Sequence, residues 1–236
     1  MHHLPSYKLC DIENHMLYLK KMLYGLKQSR CRWYQKLSSI FDSLDFYKCS
    51  VDQAIFYKQN KSKNKVTVVA VHVNNCTIAA SNLHLIKDFK ASLCKHVKVT
   101  DLSELHWMLG VEIKQDREAG TIHLSQCVYI NLILHCYNFD NLKPLFIPID
   151  PSIQLFSDQL STTIAEHAIM HDKPYHEAVS VLNWAALTTC PNIAFAVTTV
   201  TYFATKPGIV HWEAVKWIYC YLAGTRDLWM TYRETR

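Results

Sequence analysis

Thiols, imidazoles and indoles are plentiful in this chain while guanidinium groups are scarce: 9 Cys, 13 His and 6 Trp stand beside only 6 Arg. Paired thiols and imidazoles could hold zinc. No C-x-x-C pair occurs, however, and the closest cluster (Cys127, His135, Cys136) lacks a second pair at zinc spacing, so no metal site is expected. Nor does any motif set a Cys and a His up as nucleophile and base. Lys27, Gln28 and Ser29 follow Gly25 and can be read as a glycine turn opening a helix. Asn74 and Asn75 separate two β-rich runs, VTVVAVHV and CTIAA. Asn tolerates the positive φ of a tight turn, so these amides predict a two-residue hairpin turn. The six Trp could stack on nucleic-acid bases, but helical spacing assigns at least four of them to core packing.

The elements that position these groups follow from periodicity. Trp33, Leu37, Ile40, Phe41 and Leu44 fall at helical spacing within residues 28–46, and Leu83, Ile86, Phe89 and Leu93 do so within 82–95. Strands are expected over 53–58, 66–73, 76–80, 105–114 and 121–124. Ser125 is placed to cap a helix running to Tyr137. Residues 142–170 hold three of the seven Pro and predict a long irregular connection, followed by helices over 174–189, 191–206 and 212–222. The sequence thus predicts a mixed α/β part in residues 1–140 and a helical part in 170–236.

A length of 236 residues with half of them hydrophobic suits a folded globular chain. No apolar run reaches the length of a membrane span, and the first 15 residues lack a secretory core. An intracellular protein, cytoplasmic or nuclear, not secreted and with reduced cysteines, is therefore expected. The net charge of +5 is compatible with nucleic-acid binding without requiring it.

Seven segments, in order, resemble the reverse transcriptase of copia-type LTR retrotransposons. They are LKKMLYGLKQS (Leu19–Ser29) with Trp33-Tyr34, VDQAIFYK (Val51–Lys58), VHVNN (Val71–Asn75), LGVEIKQ (Leu109–Gln115), IHLSQCVYI (Ile122–Ile130), PYHEAVSVLNWAALTTCPNIAFAV (Pro174–Val197) and HWEAVKWIYCYLAGT (His211–Thr225). The resemblance implies an α+β fold: a partial palm, an antiparallel sheet with helices, over residues 1–140, and a mainly helical thumb and connection over 141–236, leading towards an RNase H domain. It also implies that Lys27, Gln28 and Ser29 lie beneath the incoming nucleotide and template.

Family members carry Asp-Asp where Asn74 and Asn75 stand. That pair, with an Asp from an upstream motif, holds the two Mg²⁺ ions of the polymerase reaction. An amide oxygen has no formal charge to offset a divalent ion, and Mg²⁺ is best held by carboxylates. The chain begins about where the segment after the upstream motif begins, so that Asp is also expected to be missing, and Asp11 and Asp52 fall in the wrong motifs to replace it. Neither a catalytic residue nor a resident metal is therefore expected.

Other departures share a direction. Asn192 stands for Asp, and His176, Cys190, Trp217 and Cys220 stand for Arg, all reachable by C-to-T transitions on one strand or the other. Ser180 replaces a Gly and is expected to overpack its helix contact. Three readings remain open: an inactive reverse transcriptase relic, a non-enzymatic nucleic-acid-binding remnant with weak affinity for an RNA/DNA primer–template, and an unexpressed or unstable pseudogene product. The oligomeric state is left open.

Overall fold

A computed structural model of the chain describes residues 23, 25–60, 65–161 and 163–234, with only the backbone of Ser157. The fold is α+β, with two four-stranded antiparallel sheets and seven α-helices among the described residues. The chain divides into two compact units, residues 1–102 and 103–236.

The first unit begins with helix α1 (Ser29–Ser43) and continues through β1 (Tyr47–Lys48), β2 (Ile55–Asn60), β3 (Lys65–His72), β4 (Asn75–Ala80) and helix α2 (Leu83–Cys94). The strands pair in sequence order, as short connections favour. Leu37, Ile40 and Phe41 line one stripe of α1 and meet Phe56, Val69, Phe89 and Leu93 in a buried core. Phe41 packs edge-on against Phe56 at 4.6 Å and also touches Phe89 at 5.7 Å, the geometry aromatic quadrupoles favour. The Asn82 side chain caps α2 by accepting the Leu85 N–H at 3.1 Å.

The second unit holds a sheet of β5 (Trp107–Met108), β6 (Val111–Asp116), β7 (Thr121–Ser125) and β8 (Met230–Arg233), in that order. With it are helices α3 (Cys127–Cys136), α4 (Ile164–His171), α5 (Tyr175–Thr188), α6 (Ala194–Thr201) and α7 (Ile209–Thr225). Their core includes Ile130, Leu182, Val197, Ile218 and Tyr219. Buried phenols are satisfied by carbonyls: Tyr175 donates to Val200 at 2.7 Å and Tyr219 to Ala178 at 3.1 Å. Strands 107–125, grouped with the first part by sequence, join the helices here because β8, near the other end of the unit, pairs with β7.

Several expectations change. The strand expected over 105–114 is a tight hairpin, because Leu109 (φ 51°) and Gly110 (φ 81°) turn the chain. Ser125 accepts the Cys127 N–H at 3.1 Å, one residue ahead of the helix cap position at Gln126. The irregular stretch contains α4, which Thr163 and Glu166 start with a reciprocal capping box. The helix expected over 191–206 is a short 3₁₀ turn followed by α6 alone; Thr198, Thr199 and Thr201 bond back to carbonyls four residues earlier, which weakens a helix. Ser180 is exposed and donates to the His176 carbonyl, so it overpacks nothing.

Among the six Trp, only Trp212 is fully buried, and Trp107 and Trp184 are exposed. Trp217 and Cys220 are half-buried, and the Trp217 N–H donates to the Ile147 carbonyl at 2.9 Å. No helix among the described residues is long and apolar enough to cross a membrane.

Candidate functional site

The β3–β4 hairpin follows from two runs of β-branched and small residues whose ladder is closed by the pair His72↔Asn75. The two loop residues are therefore Val73 and Asn74, one position earlier than the Asn74-Asn75 turn expected from sequence. Positive φ falls on Val73, at 54°, where a β-branched side chain is strained. Asn75 is the first residue of β4, and both Asn74 and Asn75 are exposed.

Helix α1 holds this tip. The Trp33 Nε1 donates to the Val73 carbonyl at 2.8 Å, and the Tyr34 hydroxyl donates to the Gln53 carbonyl at 2.6 Å. Trp33 and Tyr34 also pack against the first core, which fixes their rings. Arg30, Trp33, Tyr34, Ala54, Val71 and Val73 line a cavity of about 200 Å³ between helix and hairpin. Arg30 is the one charged residue of this lining, and it is a cation.

Lys27 and Gln28 are exposed in the turn that enters α1. The Ser29 hydroxyl donates to the Leu23 carbonyl at 2.6 Å, so its proton is committed to that turn. Gly25, at φ 94°, supplies the left-handed backbone the turn needs. The turn thus leads into α1, and the hairpin tip is bonded to the same helix through Trp33. Of the first of the seven segments, residues 19–22 and 24 lie outside the described residues.

The donor set at the tip does not fit a divalent cation. Its two Asn side chains are neutral amides in place of carboxylates, and the one charged residue lining the adjoining cavity is the cation Arg30. Among the described residues, no group of three or more His, Cys, Asp or Glu side chains is placed to hold a metal. Sequence reading passed over His167 and His171, an H-x₃-H pair on α4; both are exposed, and His171 faces Asp172 at 3.1 Å. Burial pushes the Cys76 thiol, next to the tip on β4, above its ordinary pKa, which keeps it a protonated and poor nucleophile.

Formal charge divides sharply between the units. Residues 1–102 contain 14 Lys and 2 Arg against 6 Asp and 1 Glu, or +9. Residues 103–236 contain 5 Lys and 4 Arg against 6 Asp and 7 Glu, or −4.

Residues 2–151 match the family described as reverse transcriptase (RNA-dependent DNA polymerase). The chain is 36% identical, over 88% of its length, to the retrovirus-related Pol polyprotein from transposon TNT 1-94 of Nicotiana tabacum. It is 31% identical, over 94% of its length, to the corresponding polyprotein from transposon RE1 of Arabidopsis thaliana. It spans only 16% and 14% of those two relatives. No solved structure matches the chain. With the seven ordered segments, these matches make the chain a member of the reverse transcriptase (RNA-dependent DNA polymerase) family of copia-type retrotransposons.

Proposed function

We propose that this chain keeps a reverse transcriptase scaffold but has lost the polymerase chemistry of its hairpin. Residues 1–140 correspond to part of the palm and residues 141–236 to the thumb and connection. The observation that carries the reading is the tip itself: a closed β3–β4 hairpin bearing Asn74 and Asn75 where the family has its Asp pair. In the intact family, two Mg²⁺ ions there activate the primer hydroxyl and stabilise charge on the transferring phosphate. Neutral amides at 74 and 75 leave the charge of a divalent ion unbalanced, so no step of nucleotide addition is assigned to this chain. Lys27, Gln28 and Ser29 retain the family's residues at the nucleotide and template position. Primer extension on poly(rA)/oligo(dT) with Mg²⁺ or Mn²⁺ tests the reading: background incorporation is expected, and robust extension refutes it.

A second reading, retained nucleic-acid binding without catalysis, is favoured by the +9 charge of residues 1–102. Binding through cations releases counterions and falls steeply with salt, with a log–log slope of roughly −0.9 per phosphate contacted on duplex DNA. Anisotropy with a labelled primer–template duplex should give micromolar binding at low salt and a slope of −2 or steeper. Absence of binding at low salt removes this reading.

A further inference from the structure

The turn carrying the candidate site adopts a conformation its own sequence disfavours. Val73 sits at φ 54°, in the left-handed region, and β-branched residues stay there only when their surroundings over-determine it. The clearest external contact of this turn is the Trp33 indole, whose N–H reaches the Val73 carbonyl at 2.8 Å from 40 residues away in sequence.

That donor is well anchored. Trp33 packs on a core whose α1 residues Leu37 and Phe41 lie one and two turns further along the same helix. The neighbouring residue secures the other side of the cavity, because the Tyr34 hydroxyl holds the Gln53 carbonyl and the Val71 N–H bonds the Ala54 carbonyl at 2.8 Å. One turn of α1 therefore grips both the hairpin tip and the approach to β2. In a two-residue turn, the rotation of residue 73 decides how residues 74 and 75 are presented, so a bond to its carbonyl sets their direction.

We propose that Trp33 is a positioning residue: its N–H fixes the left-handed conformation of Val73 and so orients the backbone that presents residues 74 and 75. This goes beyond the loss of polymerase chemistry and does not depend on it, since the bond involves no side chain at 74 or 75. It accounts for a tip that is formed while lacking carboxylates for a metal to gather. Indole packing alone is the competing explanation, and it predicts different behaviour.

The test is amide hydrogen exchange in the full chain, read by NMR, with Trp33→Phe keeping most of the ring while removing the donor. Losing one hydrogen bond should speed exchange at the Asn74 and Asn75 amides by about five- to tenfold, with β2 and α2 unchanged within about twofold. Val73→Gly supplies the control, because glycine takes the left-handed region at no steric cost. With Gly at 73, adding Trp33→Phe should change exchange at 74 and 75 by less than about twofold. The proposal is overturned if Trp33→Phe leaves those amides unchanged, accelerates them equally in the Val73→Gly background, or spreads its effect through β2 and α2. These amides report nothing about polymerase activity, so the outcome is independent of the primer-extension result.

Discussion

Gly208 shows how much a single hydrogen can decide in this fold. It precedes α7 with φ −98° and ψ 174°, an extended conformation open to any residue, so backbone strain does not require glycine here. Space does. A Cβ at position 208 would lie 1.9 Å from the Gln159 carbonyl oxygen and 3.1 Å from its carbon. An ordinary C···O contact is about 3.3 Å or more, so the backbone at 159 must retreat by roughly 1.4 Å. The obstacle is main chain and cannot rotate aside. Overpacking of this kind costs about 1–3 kcal/mol. The retreat also threatens two bonds that secure the junction: the Gly208 N–H to His211 Nδ1 at 2.9 Å and the Ser161 hydroxyl to the Pro207 carbonyl at 3.0 Å. Each contributes about 1 kcal/mol.

Gly208→Ala should therefore destabilise the second unit by about 2–4 kcal/mol, lowering its melting temperature by roughly 10 °C at a few degrees per kcal/mol. Gly110→Ala is the comparison. Its Cβ meets nothing within 4 Å, but its φ of 81° carries only a left-handed penalty of about 1–2 kcal/mol. Calorimetric unfolding of both variants decides the matter. A Gly208→Ala melting temperature within 2 °C of the parent, or above that of Gly110→Ala, refutes the steric reasoning.

Three further outcomes are expected. Burial holds the His211 pKa below the ordinary 6.5, while the unfolded chain takes up its proton near 6.5, so this residue favours unfolding as pH falls below about 6.5 and has no effect above it. Melting temperatures from pH 7.5 to 4.5 should drop less in His211→Gln than in the parent; parallel profiles contradict this. Asn82→Ala removes the α2 cap and should cost about 1 kcal/mol in urea unfolding, with an unchanged m-value. Phe41→Ala empties the centre of the first core and should cost about 3–5 kcal/mol, detectable as early loss of near-ultraviolet circular dichroism in that unit.

Legibility followed the range of the interactions. Helices α1 and α2 were readable because Leu37, Ile40, Phe41, Phe89 and Leu93 declare a buried stripe locally. The α4 start is equally local, since T-x-x-E at Thr163–Glu166 spells a capping box, but the prolines of the stretch before it mask that signal. The hairpin register slipped by one residue because Asn favours positive φ and Val does not. The indole bond that accompanies the actual register comes from Trp33, outside any local window. Strand β8 was invisible for the same reason: four residues gain strand character only by pairing with Thr121–Leu124. The Ser180 expectation failed because the family's glycine was read as a close approach, whereas this face of α5 is exposed. The candidate site was legible in its residue types, and the absent carboxylates are a fact of sequence. How α1 grips the tip was not.

Divalent-metal titration at the hairpin is the deciding experiment. Mn²⁺ broadens the NMR signals of nearby amides, so it reports occupancy of the tip whether or not any nucleotide is incorporated. The amides of Val73, Asn74 and Asn75 should broaden no more than other exposed amides at sub-millimolar Mn²⁺, while Asn74→Asp combined with Asn75→Asp should broaden them selectively. Selective broadening at the tip of the unaltered chain would contradict the claim that this hairpin has lost its metal.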